Sequence, residues 1–205
     1  IIPTGSGNGL ARCLNIPLSV EQAIKAINQM KTKRIDCIKL NNTVYASIAG
    51  IGFDALIARE FAKTKTRGFQ PYLKLVLQNY PQYKPQNYTL IIDDIEINTQ
   101  ALFVSFSNSN QFGFDVEIAN NASLCDGLID VVIVQKPPLP LLFWTAQLLF
   151  WRKFDNSIYV NAYQAKKVTV KSNNPTGVNL DGEYAEFDTD LTFEIMPDSL
   201  KVIIP

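Results

Sequence analysis

The chain has 205 residues, 47% of them apolar, and its 19 Lys and Arg are balanced by 19 Asp and Glu. That length suits one large domain or two small ones with a sizeable core, and a net charge of zero argues against a dedicated nucleic-acid binder, whose footprint is basic. No histidine is present, so a general base must be Asp, Glu or Lys, and any metal site should use oxygen donors for a hard cation such as magnesium. Cys13, Cys37 and Cys125 are far apart and odd in number. That spacing excludes a CxxC zinc pattern and fits a reducing, cytoplasmic compartment.

The chain opens without methionine or signal peptide on Ile1-Ile2-Pro3-Thr4-Gly5-Ser6-Gly7-Asn8-Gly9, inside a strand-to-loop transition, and reads as a fragment whose upstream part is missing. Glycines let backbone N–H groups approach an anion, so this loop is either a phosphate cradle or an ordinary Gly-rich turn. Residues 9–14 predict a short helix. A second helix follows Ser19, an expected N-cap with Gln22 at the capping-box position and an inward stripe of Ala23, Ile24, Ala26, Ile27 and Met30. Lys31, Lys33 and Arg34 close it, and strand periodicity then begins, which places a boundary between residues 1–33 and 34–205.

Strands are predicted over 34–40 and 43–48 around an Asn41-Asn42 turn. Helices follow over 55–65 and 71–80, the second with Leu73, Val76, Leu77 and Tyr80 on one face. The basic run Arg59, Lys63, Lys65, Arg67 and Lys74 is either a solvated face or a surface for phosphates or membrane. Short strands over 88–92, 95–98, 101–107, 116–119 and 128–134 suggest a sandwich or barrel-like β domain. The apolar stretch 137–151, with Trp144, Trp151, Arg152 and Lys153 at its end, is too short for a confident span and reads as a core helix, a homodimer-interface helix or an interfacial membrane helix. Strands return over 166–171, 178–180, 191–196 and 200–204, with turns at Asn173-Asn174-Pro175 and Asp181-Gly182-Glu183.

Two further features carry chemistry beside the opening loop. Asp126-Gly127 and its flanks could hold a hard cation through one carboxylate and backbone carbonyls. Asp181-Gly182-Glu183 sets two carboxylates on a tight turn, where one could act as a base. Either Asp-Gly pair could equally be structural.

Taken in order, these segments resemble the lipid kinase family of bacterial diacylglycerol kinases and eukaryotic sphingosine and ceramide kinases. Residues 2–11 resemble its Pro-x-Gly-Thr/Ser-x-Asn segment, Gly50-Ile51-Gly52-Phe53-Asp54-Ala55 its Gly-x-Gly-Phe-Asp-Ala segment, residues 118–131 its Ala-Pro-x-Ala…Asp-Gly-x-x-Asp segment, and Asp181-Gly182-Glu183 its terminal Asp-Gly-Glu. The resemblance implies an α+β, mostly β fold: a β-sandwich domain preceded by the remnant of a Rossmann-like nucleotide-binding domain. It implies ATP- and magnesium-dependent phosphorylation of a lipid hydroxyl by a peripheral membrane protein. It gives Glu183 the role of base, and Asp181 that of orienting the site or binding magnesium. Ser6 would contact ATP phosphate in a loop shaped by Gly5, Gly7 and Asn8. A structural magnesium would take the Ser123 and Leu128 carbonyls with the Asp126 carboxylate, and Asp54 would meet the substrate.

The chain departs from the family pattern at Gly9, where many bacterial members have Asp, at Asn120 in place of proline, and at Cys125 in place of Asp or Asn. The Gly-Ser-Gly-Asn loop resembles the sphingosine-kinase form. The family's upstream Gly-Gly-Asp-Gly-Thr motif is absent, so this fragment alone is expected to bind ATP poorly. The competing readings are a non-catalytic lipid-binding module of the same fold, and a kinase of a soluble acceptor such as a dinucleotide.

Overall fold

Helical periodicity gives way to strands at Thr32, and from there the chain builds two sheets. The structure, a computed structural model, describes residues 1–205 except 115, 152, 173 and 174, and omits the side chains of residues 150 and 155. Arg152 and the expected Asn173-Asn174 turn therefore lie outside the described residues.

The elements run α1 (Gly9–Cys13), α2 (Val20–Asn28), β1 (Thr32–Leu40), β2 (Thr43–Tyr45), β3 (Ile48–Gly52), α3 (Phe53–Ala62) and α4 (Phe69–Asn79). Then come β4 (Gln86–Ile92), β5 (Ile95–Ala101), β6 (Phe103–Ser107), β7 (Gln111–Gly113), β8 (Val116–Glu117), β9 (Ile129–Val134) and α5 (Leu139–Phe150). The chain ends with β10 (Val160–Ala165), β11 (Lys167–Lys171), β12 (Thr176–Leu180), β13 (Glu183–Phe187) and β14 (Leu191–Ile203). One six-stranded sheet has the order β2-β1-β14-β11-β4-β5, the other β10-β9-β6-β3-β12-β13, and β7-β8 form a small hairpin. Neighbouring strands are antiparallel throughout.

Alternating inward residues of the two sheets make the main core. Ile38, Leu40, Leu90, Val168 and Phe193 meet Ala49, Ile51, Val104, Phe106, Val131 and Val178, and Phe106 stacks on Phe193 with ring centres 3.8 Å apart. Burying each large apolar side chain contributes about 1.5–3 kcal/mol. The fold is thus mostly β, a two-sheet sandwich with its helices outside. A smaller cluster fastens the opening helices to it, packing Ala11, Leu14, Ile16 and Ala23 against Ile35 and Val202.

Several local expectations are corrected. Ala23 and Ala26 turn inward on α2, but Ile24 and Met30 are exposed: Ile24 points away from the small Ala face, and Met30 lies beyond the helix end with a left-handed φ of 54°. Ser19 precedes α2 but its hydroxyl makes no capping bond. On α4, Leu73 and Leu77 face outward while Tyr80 is buried. The two expected final strands are one, β14, whose pairing with β1 slips between Ile35 and Cys37. The slip absorbs Pro197, which has no N–H for the ladder.

Candidate active site

The Asp-Gly pair between β12 and β13 makes a two-residue hairpin. Leu180 pairs with Glu183, and Asp181 and Gly182 both have positive φ, 49° and 98°, the backbone that matches strand twist in such turns. Asp181 then reaches back across the sheet end. Its carboxylate accepts the backbone N–H groups of Ala46 (3.0 Å), Ser47 (2.9 Å) and Ile48 (2.9 Å), and its own N–H donates to the Ile48 carbonyl. Both carboxylate oxygens are thereby committed to backbone. Of the two roles expected for Asp181, this geometry suits orienting the site. Glu183, two residues on, is exposed and forms no ion pair among the described residues, so its carboxylate is open to take a proton.

Replacing Asp181 by Ala strips three charge-assisted bonds from backbone that water reaches only in part. The expected loss is about 2–4 kcal/mol of stability, read as a lower urea midpoint at unchanged slope. An unchanged midpoint contradicts the clamp.

Asp54 opens α3 and is buried. Its Oδ2 accepts from Asn179 Nδ2 at 2.9 Å, and Asn179 Oδ1 accepts the Gly182 N–H at 3.0 Å, so the α3 start and the Asp181 turn share one polar chain. The other oxygen, Oδ1, has no partner among the described residues. Burial pushes the Asp54 carboxyl up to about 7, with the Asn179 bond opposing the shift. Burial, then the Asp54 charge, also push the nearby Tyr72 phenol up. Gly50 leaves this carboxylate its room, since a Cβ there would collide with it.

The opening loop lies elsewhere on the same framework. Asn8, at φ 51°, exchanges two bonds with Gly5: the Gly5 N–H donates to Asn8 Oδ1 (3.1 Å) and Asn8 Nδ2 to the Gly5 carbonyl (2.8 Å). Gly7 accepts from Arg12 Nε at 3.2 Å and from the Phe114 N–H. A Cβ on Gly9 would sit 2.9 Å from the Gln111 carbonyl oxygen, too close for a side chain without a shift of the 111–113 backbone. Ser6 is exposed on the loop.

What joins these pieces is a segment that the sequence shows only as a polar loop. Asn108 Nδ2 donates to the Asp36 and Ala46 carbonyls, both at 2.8 Å. The Asn108 and Ser109 N–H groups donate to the Ser47 carbonyl, and the Ser47 and Ser109 hydroxyls meet at 2.6 Å. Two residues on, Gln111 and Gly113 press against the opening loop. Asp36 holds the remaining motif: its carboxylate accepts the Gly127 N–H (2.8 Å) and, in the slip of β14, the Asp198 N–H (2.8 Å). Motif spacing did not reveal Asp36, Asn108 or Asn179. A lone carboxylate inside the apolar run Ile35–Ile38 was the available signal for the first.

In the 123–128 loop, Asp126 is exposed and one of its oxygens accepts the Leu128 N–H at 3.1 Å. The donors expected here, the Ser123 and Leu128 carbonyls and the Asp126 carboxylate, are all oxygens, the donor type that magnesium takes. No cluster of three His, Cys, Asp or Glu exists among the described residues. A cavity of about 420 Å³ adjoins this loop and the opening helix, lined among others by Arg12, Lys33, Asn110, Gln111, Glu117 and Ser123. A second, of about 570 Å³, lies between α3 and the far end of the sandwich beside Arg59, Gln86, Lys171 and Tyr184.

The fold class is therefore a two-sheet β-sandwich whose strand ends carry a carboxylate-rich polar network. Residues 47–204 match the YegS C-terminal NAD kinase beta sandwich-like domain, and the chain belongs to that family. Residues 1–40 match the diacylglycerol kinase catalytic domain. A protein of Staphylococcus saprophyticus named diacylglycerol kinase is 27% identical over 187 residues, covering 90% of this chain and 61% of the relative. A YegS-like lipid kinase of Pseudomonas syringae is 26% identical over 207 residues, covering all of this chain and 67% of the relative. The chain thus spans about three-fifths to two-thirds of these relatives. A Bacillus anthracis structure described as a diacylglycerol kinase superposes with a TM-score of 0.79 at 21% identity, covering all of this chain and 67% of that one. At that identity the likeness establishes the fold.

Proposed function

We propose that the full-length protein transfers the γ-phosphoryl group of ATP to the hydroxyl of a lipid, diacylglycerol or a sphingoid base, at the cytoplasmic face of a membrane. One observation carries the reading: the Asp181 carboxylate is spent on three backbone N–H groups, and this holds an exposed Glu183 at a fixed place beside the turn. Glu183 takes the proton of the acceptor hydroxyl as its oxygen attacks phosphorus, and Asp181 positions it. Asp54, with one oxygen unpartnered among the described residues, contacts the acceptor. Gly5, Ser6, Gly7 and Asn8 lie against the nucleotide phosphates. Asp126, with the carbonyls of Ser123 and Leu128, would hold magnesium. That cation would be structural, tying down the 123–128 loop, whereas the charge neutralisation that phosphoryl transfer mainly demands would come from magnesium bound with ATP.

The names of the relatives and the kinase-type match of the opening residues support this reading. Full-length protein given γ-labelled ATP, magnesium and either lipid is expected to move label into the lipid extract. Label that stays in ATP and inorganic phosphate overturns the reading.

A further inference from the structure

Helix α5 is apolar on every side, yet only one side is covered. Leu142 packs into the Phe53–Ile57–Tyr80 cluster, Thr145 is buried, and Leu148 and Leu149 lie against Val132 and Phe154. The other side leaves Leu139, Phe143, Trp144 and Trp151 between 55% and 71% exposed. Beside it α4, held in the same cluster by Tyr72, Leu75 and Val76, exposes Leu73 and Leu77. A surface helix normally presents polar residues outward, and an apolar aromatic patch of this kind marks a place that something covers. Twelve residues are too few to cross a bilayer, and no helix among the described residues is long and apolar enough to do so.

Charge identifies the occupant. In a chain of zero net charge, residues 61–92 and 131–154, which supply α4, α5 and their flanks, hold eight of the 19 Lys and Arg and none of the 19 Asp and Glu, although Glu60 at their edge pairs with Lys63 at 2.8 Å. Lys63, Lys65, Arg67, Lys74, Lys84 and Lys153 are all exposed. A second copy of the chain bound symmetrically would set this basic rim against itself. An anionic bilayer satisfies both halves of the patch, since aromatic rings settle at the acyl boundary while Lys and Arg meet lipid phosphates.

We propose that the exposed face of α5, with α4 beside it, docks the protein on an anionic membrane surface, Phe143, Trp144 and Trp151 entering the interface and Lys65, Arg67, Lys74 and Lys153 pairing with headgroups. The inference deepens the lipid-acceptor reading and rests on it for its purpose. The cluster that seats α5 also holds α3, which Asp54 opens, so docking would bring the acceptor's own membrane to Asp54.

The test is co-sedimentation of the full-length protein, without ATP, with vesicles of phosphatidylcholine alone or mixed with phosphatidylserine. Wild type is expected to bind the mixed vesicles at least tenfold more tightly, with binding weakened by salt. Phe143→Ser/Trp144→Ser should lose at least tenfold on mixed vesicles, and Lys65→Glu/Arg67→Glu should lose the preference for phosphatidylserine, both with wild-type melting temperatures. Equal partition of wild type to both vesicles overturns the proposal. So does a Phe143→Ser/Trp144→Ser protein that changes from dimer to monomer yet binds vesicles as before, which assigns the face to a second copy. Phosphorylation of a water-soluble short-chain diacylglycerol separates the two readings. Its absence in a protein that docks defeats the kinase reading alone, and its presence in a protein that ignores vesicles defeats the docking alone.

Discussion

Glu183→Gln is expected to lower lipid phosphorylation by about 10²- to 10⁴-fold, the range that one positioned general base supplies. The substitution keeps the side chain's size and removes only its capacity to accept a proton. Glu183 is exposed and the turn before it is held by Asp181 through three backbone N–H groups, so the variant should melt as wild type does. Because the base works on the acceptor hydroxyl, the loss should fall on kcat and leave the KM for ATP nearly unchanged. A variant with wild-type turnover means that Glu183 is not the base. A variant that loses turnover together with its melting temperature points to a structural role instead.

The second large effect concerns stability and pH. Burial raises the Asp54 carboxyl from 3.8 to about 7, so between those values the folded protein holds a proton that the unfolded chain has released. Stability falls with rising pH wherever the native state binds more protons. The stabilisation linked to a neutral Asp54 is therefore complete below pH 3.8 and lost as pH rises to about 7. About three pK units correspond to on the order of 4 kcal/mol. Asp54→Asn keeps an oxygen for the Asn179 amide and never ionises. The variant should be more stable than wild type at pH 8 by on the order of 4 kcal/mol, with the difference shrinking toward pH 4. Parallel stability curves for the two proteins contradict a buried, uncompensated carboxylate. If Asp54 meets the acceptor, the more stable protein is also the less active one, a common outcome where a site stores a destabilising charge.

The sequence carried the strands better than the helix faces. Alternation in 88–92 and the apolar run Val131–Val134 follow from burial on one or both sides of a strand, and both became strands as expected. The Asp181-Gly182 hairpin was legible because a two-residue turn with positive φ strongly favours that pair. Helix orientation was not. Ile24 and Leu77 fit an apolar stripe by spacing, but which face turns inward depends on what lies beneath, and on α2 it is Ala23 that packs with Ile35 and Val202. The final strand was divided in prediction at Pro197 and Asp198, a local break that pairing with β1 spans by slipping register.

At the site, residue types pointed to Asp126, Asp181 and Glu183, while the residues that hold them together stayed hidden. Asp36 grips Gly127 from 91 positions away, and Asp181 reaches Ser47 across 134. Pairings at that separation leave no periodic trace. The opening loop's shape is local, fixed by Asn8 and Gly5, but its place depends on Gln111 and Gly113 on a hairpin that spacing does not connect to it.

The most direct measurement offers the full-length protein γ-labelled ATP and magnesium with a diacylglycerol, a sphingoid base and a nicotinamide dinucleotide in one reaction, then separates the products. The account predicts label in the lipid phase, none in the dinucleotide, and loss of the lipid signal in Glu183→Gln. Label in the dinucleotide, or label in no acceptor, contradicts it.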